Sequence, residues 1–371
     1  MLAAIRNKKP DRVPCCPDMS NMIPCRLTGH PFWDVYYWGN PPLWQAEILA
    51  IDYFGFDGLF VDWYRTFVEE PKVEVTDTIV SQTPERLVVR YRYRTPDGDL
   101  FSEKTYYVAD SPTTTLRPVR DLRADMKRLR HLFAEPLGLD EELIHHQRNA
   151  LGERGVFGLL VAYPGFQNWT KLFDGSLETM TYLYYDTPEL MEELRELHER
   201  RALKEMEIAL DQQPDFILLG GSGTITLQSP TIARQLSLPT IKKITRMGRE
   251  AGIPTMLHSC GKEYALVKMC AEETDLDCIN PLEPPPMGDC DLAQIKAEFG
   301  DRLSLMGNLH TTEVMLFGTP DDVERAARKA IDDAAVDGGF ILSTGDQCGR
   351  DTPDANILKM VEVAKTYGCY E

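Results

Sequence analysis

A chain of 371 residues with 43% hydrophobic and 26% charged content has the composition of a globular enzyme with room for a large core. Its formal net charge of −18 excludes a nucleic-acid binder that works by neutralising phosphates, and no apolar run approaches the roughly 18 residues that cross a bilayer. The 9 cysteines are odd in number and scattered, and residues 1–9 are short and basic without an apolar core, so the chain reads as cytoplasmic with reduced thiols.

Taken in order, the first predicted strand is 13–17, followed by a helix over 42–53 and a second strand over 58–62. Residues 72–108 break this rhythm. Leu87-Val88-Val89-Arg90-Tyr91-Arg92-Tyr93 alternates with a period of two, and Pro96-Asp97-Gly98 marks a turn before a further strand at 101–108. This predicts a hairpin or small antiparallel sheet inserted after strand two, within 70–110, on the face where lids and pockets are built. A charged helix over 118–130 leads back. From about 155 onward apolar runs alternate with amphipathic helices: strands at 156–162, 216–219, 254–258, 276–279, 303–306 and 340–343, helices at 188–210, 230–250, 263–271, 291–299, 320–335 and 353–367. Ser229-Pro230, Thr319-Pro320 and Thr352-Pro353 place a capping residue before a first-turn proline. Eight strand-helix units predict an α/β fold, a (β/α)₈ TIM barrel with the hairpin insertion, forming one domain over 1–371. Gly220-Gly221-Ser222-Gly223 lacks the spacing and acidic partner of a dinucleotide site.

Chemistry in such a barrel sits at the carboxyl ends of the strands. The first ends at Asp18-Met19-Ser20, the second at Asp62-Trp63-Tyr64, the third runs into Tyr163, and the fourth into Gly220 to Thr224. The fifth delivers His258-Ser259-Cys260, the sixth Asn280 and Glu283, the seventh Asn308 and His310, the eighth Asp346 and Cys348. Alternate residues of an extended segment project the same way, so His258 and Cys260 can face one object. An imidazole and a thiolate suit Zn²⁺ better than an oxygen-seeking cation. The topology adds Cys348 and Asp346 from a distant loop of the same mouth, the layout of a catalytic zinc with one open position. Glu263 is either a displaceable fourth ligand or a first-turn acid favoured by the helix dipole. The aromatic run Phe32, Trp33, Tyr36, Tyr37 and Trp38 lines a pocket or packs on the rim, and His145 and His146 read as solvated on an exterior helix.

These motifs resemble, in order along the chain, the uroporphyrinogen decarboxylase superfamily and within it the cobalamin-dependent (corrinoid) methyltransferase branch. The residues that carry the resemblance are Lys9-Pro10-Asp11-Arg12-Val13-Pro14, Ser229-Pro230, His258-Ser259-Cys260-Gly261, Pro281-Leu282-Glu283-Pro284, Gly307-Asn308, Gly318-Thr319-Pro320, and Thr352-Pro353 with Asn356. Haem-pathway members carry an arginine-rich clamp after strand one; the corresponding stretch here, 19–38, holds Arg26 as its only arginine. The methyltransferase branch holds zinc with an HxC pair and a distant cysteine ahead of the TP motif. His258 and Cys260 match the pair. An ungapped match on Thr352-Pro353 puts Asp346 at the cysteine's position and Cys348 two residues later. The softer donor favours Cys348 as third ligand, with Asp346 as the alternative and loss of the metal as a third possibility.

The resemblance implies zinc-assisted methyl transfer between a small methylated substrate (methoxyl, methylamine or a thiol acceptor) and a corrinoid carried by a partner protein, with Asp62, Tyr163 and Glu283 orienting substrate or handling a proton. The chain itself is compatible with a homo-oligomer. Two rivals stand beside this reading. A metal-free decarboxylase would need cations at the mouth, where only Arg26, Arg65 and Arg350 are near the strand ends. A non-catalytic barrel would bind a small molecule or corrinoid without turnover.

Overall fold

The computed structural model describes residues 1–62, 67–69 and 72–370. In chain order the strands are β1 (Gly58–Asp62), β2 (Phe67–Val68), β3 (Glu74–Gln82), β4 (Arg86–Thr95), β5 (Gly98–Tyr107), β6 (Thr113–Leu116), β7 (Gly138–Leu139), β8 (Gly155–Ala162), β9 (Phe216–Gly220), β10 (Thr255–His258), β11 (Cys278–Asn280), β12 (Ser304–Leu309) and β13 (Phe340–Thr344). Seven of them form one sheet in the order β1-β8-β9-β10-β11-β12-β13, every pair parallel. Neighbours in space are thus successive parallel strands, and helices such as Pro188–Asp211 and Pro320–Ala334 cross between them. Runs such as Phe216-Ile217-Leu218-Leu219 and Phe340-Ile341-Leu342 are buried along their whole length, as strands packed on both faces require.

The expected first strand at 13–17 is reduced to a bridge. Cys15 pairs in parallel with Leu342; the Leu342 N–H donates to Pro14 O and the Cys16 N–H to Leu342 O, both at 2.9 Å. On its other side the Asp57 N–H reaches Cys15 O at 2.9 Å, and the Asp57 carboxylate accepts from the Cys15 N–H at 2.9 Å. The segment therefore lies between β13 and the start of β1, but Pro14 and Pro17 carry no N–H and deny it a ladder. The helix expected over 230–250 is two helices, Ser229–Leu236 and Leu238–Ala251, because Pro239 cannot continue the hydrogen bonding of the first.

The segment expected as a hairpin or small antiparallel sheet is a four-stranded antiparallel sheet, β3-β4-β5-β6. Thr95 and Gly98 close the β4–β5 turn, Arg90 pairs across it with Glu103 at 2.6 Å, and β3 is exposed along its whole length. The aromatic run explains where this sheet rests. Phe32 and Val35 pack with Cys25, Leu43 and Ala46 on the helical side, while Tyr36 and Tyr37 cover Leu87, Val89 and Tyr106 of the sheet. His145 and His146 are exposed on the helix Glu141–Leu151. Among the described residues no helix is long and apolar enough to cross a membrane. Trp63, Tyr64 and Arg65 lie outside the described residues.

Candidate metal centre

The carboxyl ends of the parallel strands lie along one edge of the sheet, and His258 is the last residue of β10 there, flanked by Gly220 of β9 and Asn280 of β11. The chain stays extended for one residue more: the Ser259 N–H donates to Asn280 O at 2.9 Å. Ser259 turns to the opposite side from its neighbours. Its hydroxyl accepts from the Thr224 N–H at 2.9 Å and donates to Gly221 O at 2.9 Å. This leaves His258 and Cys260 on the common face. Gly261 then turns the chain at a φ of +91°, where a Cβ would stand 2.3 Å from the Thr226 hydroxyl.

Asp346, on the loop after β13, completes a cluster with this pair. The ligand atoms of His258, Cys260 and Asp346 all lie within 4.8 Å of one another, and the His258 Nε2 to Asp346 Oδ1 distance is 4.0 Å. Zinc bonds of about 2.0–2.3 Å bring tetrahedral donors to roughly 3.5 Å from each other. Closing the remaining gap needs only a small movement of Asp346, whose side chain is about one third exposed. Nitrogen, sulfur and oxygen donors are an accepted zinc set, so these residues fit the metal. Burial first, then the Asp346 and Glu283 carboxylates, pushes the Cys260 thiol up to about 12. A divalent cation among the three reverses this balance and favours the thiolate.

Cys348 does not join the cluster. Its N–H is anchored to Asp18 O at 2.8 Å, and the side chain is fully buried. Burial pushes its thiol up to about 12, against a hydrogen bond with Thr344 that favours the thiolate. Cys348, expected as third ligand, thus lies outside the group of three, and Asp346, the alternative, lies within it. Glu263 is likewise committed elsewhere. It is buried, and it accepts from the Ile225 N–H at 3.0 Å and the Thr226 N–H at 3.3 Å, holding the loop after β9. Burial outweighs these bonds and raises its carboxyl to about 8.

Of the residues expected to handle substrate, Glu283 is nearest the cluster. Its Oε2 accepts from the Gly261 N–H, which fixes the turn that presents Cys260. Asp62 ends β1, buried, and accepts from Gln147 Nε2 at 3.2 Å. Tyr163 is fully buried, with its hydroxyl 2.7 Å from that of Thr224, and it belongs to the packing beneath the loop after β9. His310 caps a helical turn, its Nδ1 accepting from the Thr312 and Glu313 N–H groups at 3.2 and 3.1 Å.

Beside the cluster is a cavity of about 80 Å³ lined by Asp18, Ser20, Glu47, His258 and Asn280, with Cys16, Met19, Phe60, Leu218, Met256 and Met306 among its apolar walls. Asp18 accepts from the Ser20 hydroxyl. Burial raises its carboxyl; His258 opposes this and Asp346 adds to it. Burial, then Asp62 and Asp18, holds the Glu47 carboxyl well above the usual range. Sequence reasoning assigned no role to Glu47. The signal was present: it stands on the stripe of the helix Leu43–Phe54 that buries Leu43, Ala46, Ala50, Ile51 and Phe54, where an acid has no packing reason to be. No lysine or arginine lines the cavity among the described residues. Arg26 pairs with Asp354 at 2.5 Å and Arg350 with Asp351 at 2.6 Å.

The model of the family described as "Uroporphyrinogen decarboxylase (URO-D)" matches residues 117–367. The chain belongs to the uroporphyrinogen decarboxylase family. Its similarities within the uroporphyrinogen decarboxylase family run to corrinoid methyltransferases. The chain is 32% identical over 156 residues to the methylcobamide:CoM methyltransferase MtbA of Methanosarcina mazei, covering 40% of this chain and 43% of that protein. It is 31% identical over 156 residues to the protein of that name from Methanosarcina acetivorans, with the same coverage. To the methylated-thiol–coenzyme M methyltransferase of Methanosarcina mazei it is 25% identical over 150 residues, 40% of this chain and 37% of that protein. The chain thus spans less than half the length of the curated relatives it matches. A solved methyltransferase structure from Methanosarcina mazei superposes with a TM-score of 0.68 at 18% identity, over 99% of this chain and 97% of that one, and shares the fold.

Proposed function

We propose that this member of the uroporphyrinogen decarboxylase family is a zinc-dependent methyltransferase that moves a methyl group between a small methylated substrate and a corrinoid carried by a separate protein. The observation that carries the reading is the convergence of His258, Cys260 and Asp346 at the strand ends. The names of the relatives it matches support the corrinoid link. We read the chain as one barrel-like domain, the segment at Cys15 standing between β13 and β1, with the antiparallel sheet as an insert beside its mouth.

His258, Cys260 and Asp346 would hold the zinc, leaving a position for the substrate heteroatom. When bound, the ion supplies Lewis acidity: it stabilises negative charge on a leaving oxygen or nitrogen, or lowers the pKa of an acceptor thiol. The chain's own residues do the rest. Glu283 holds the Gly261 N–H and so keeps Cys260 facing the imidazole. Ser259 ties the same segment to the loop after β9. Methionines and Phe60 exclude water from the cavity walls, which strengthens each electrostatic contact inside. Asp62 and Tyr163, already bonded within the fold, act as positioning residues.

Metal analysis together with a transfer assay tests the reading. Purified chain is expected to carry about one zinc, lost in Cys260→Ala, and to exchange methyl groups between cobalamin and one of a panel of methoxyarenes, methylamines and thiols. A metal-free chain that decarboxylates a substrate, or a zinc-bearing chain inert with every donor and acceptor, would overturn it.

A further inference from the structure

We propose that the cavity between Glu47 and His258 binds a small organic cation carrying N–H donors, of the class of protonated methylated amines. Its role as the methyl-bearing substrate rests on the methyl-transfer reading above; the binding itself does not.

The cavity asks for donors and for positive charge. Asn280 lines it while only 6% exposed, and its Oδ1 has no hydrogen-bond partner among the described residues. Glu47 also lines the cavity, and its Oε1 is sealed from the surface and unpartnered among the described residues. Buried acceptors of this kind are normally satisfied, and a ligand with N–H bonds satisfies both. An ether or a quaternary ammonium has no hydrogen to give. Asp18 contributes a second carboxyl to the lining, with no lysine or arginine beside it among the described residues. An anionic ligand would stand beside both of these carboxyl side chains, Asp18 and Glu47. Burial, then Asp62 and Asp18, raises the Glu47 carboxyl well above its usual range, and an adjacent ammonium favours its carboxylate form. Met19, Met256, Met306 and Phe60 supply polarizable walls for N-methyl groups. At roughly 10–15 Å³ for each water-sized group, the volume of about 80 Å³ holds a ligand of about five to eight heavy atoms. His258 belongs both to this lining and to the metal cluster, so the cavity adjoins the proposed metal site through that side chain.

The test uses three probes of matched size, N-methylpropylammonium, methyl propyl ether and butyrate, titrated calorimetrically into the full chain supplied with zinc. The ammonium is expected to bind at least tenfold more tightly than the ether, and butyrate not to bind. Glu47→Gln should weaken the ammonium at least tenfold and the ether less than twofold, at unchanged melting temperature. Asn280→Ala serves as a second variant should the first fail to fold, with the same selective loss expected. Equal affinity for ammonium and ether overturns the proposal, as does ammonium binding indifferent to both substitutions. Zinc occupancy is measured in the same samples. A chain that binds ammonium without ever binding zinc keeps the cation site and removes the methyl-transfer reading; a zinc-bearing chain that ignores ammonium does the reverse.

Discussion

Two neighbouring stretches of the same sheet edge treat their polar groups in opposite ways. At the loops after β8 and β9, Tyr163 and Thr224, met by Ser259 and Glu263 from the segment after β10, bond to one another or to the backbone of residues 221–226. After β10, β11 and β13, His258, Cys260 and Asp346 face each other, and Asn280 leaves its Oδ1 unpartnered among the described residues. The first stretch is closed upon itself and works as scaffold. The second brings ligand-type side chains together and leaves an acceptor open, and that difference, rather than residue type, separates a support from a candidate site.

The sharpest way to break this contrast is at the cluster. Cys260→Ala is expected to abolish stoichiometric zinc and methyl transfer together, whereas Cys348→Ala should keep the metal near the wild-type level; plasma emission on both variants reads this directly. If Cys348→Ala loses the ion and Asp346→Ala retains it, the assignment of the third ligand is reversed. On the scaffold side, Gly221→Ala should be the most damaging small change, because its Cβ would stand 1.9 Å from the Tyr163 hydroxyl and 2.3 Å from its ring. A loss of about 1–3 kcal/mol is expected from such overpacking, measured by urea unfolding. Glu263 gives a pH signature. Its folded-state value is raised to about 8 from an ordinary 4.5, so folding takes up a proton between those values. Stability should then fall as pH rises from about 4.5 to 8, by at most about 1.4 kcal/mol per pH unit, and Glu263→Gln should flatten that slope. A slope unchanged in the variant would assign the effect to other groups. The smallest effect is expected from Tyr163→Phe, about 1 kcal/mol for the lost bond to Thr224, with methyl transfer within a few-fold of wild type; a loss of a hundredfold would restore Tyr163 to the chemistry.

Much of the frame was legible because buried parallel strands are short apolar runs set between helical periods. The runs ending at Asp62, Ala162 and His258 match β1, β8 and β10 at their carboxyl ends, which is why the ligand pair could be read at all. The first strand was misread because its apolar content is real while its prolines deny it a ladder. The inserted segment read as a hairpin because β4 and β5 alternate cleanly; exposed β3 and short β6 carry weaker patterns. Within the site, His258 and Cys260 announced themselves by their spacing. The choice between Asp346 and Cys348 could not be made from donor softness, since the loop after β13 turns the thiol inward to Thr344. Glu47 and Asn280 went unassigned because their importance lies in missing partners, a property of three dimensions.

Ser259 stands between the imidazole and the thiol yet answers to neither. Its two bonds run to residues 221 and 224 on the adjoining strand's loop. The bite of the proposed chelate is accordingly gauged from next door, and a substitution in that loop, out of reach of any ion, would retune which ionic radius the pair prefers.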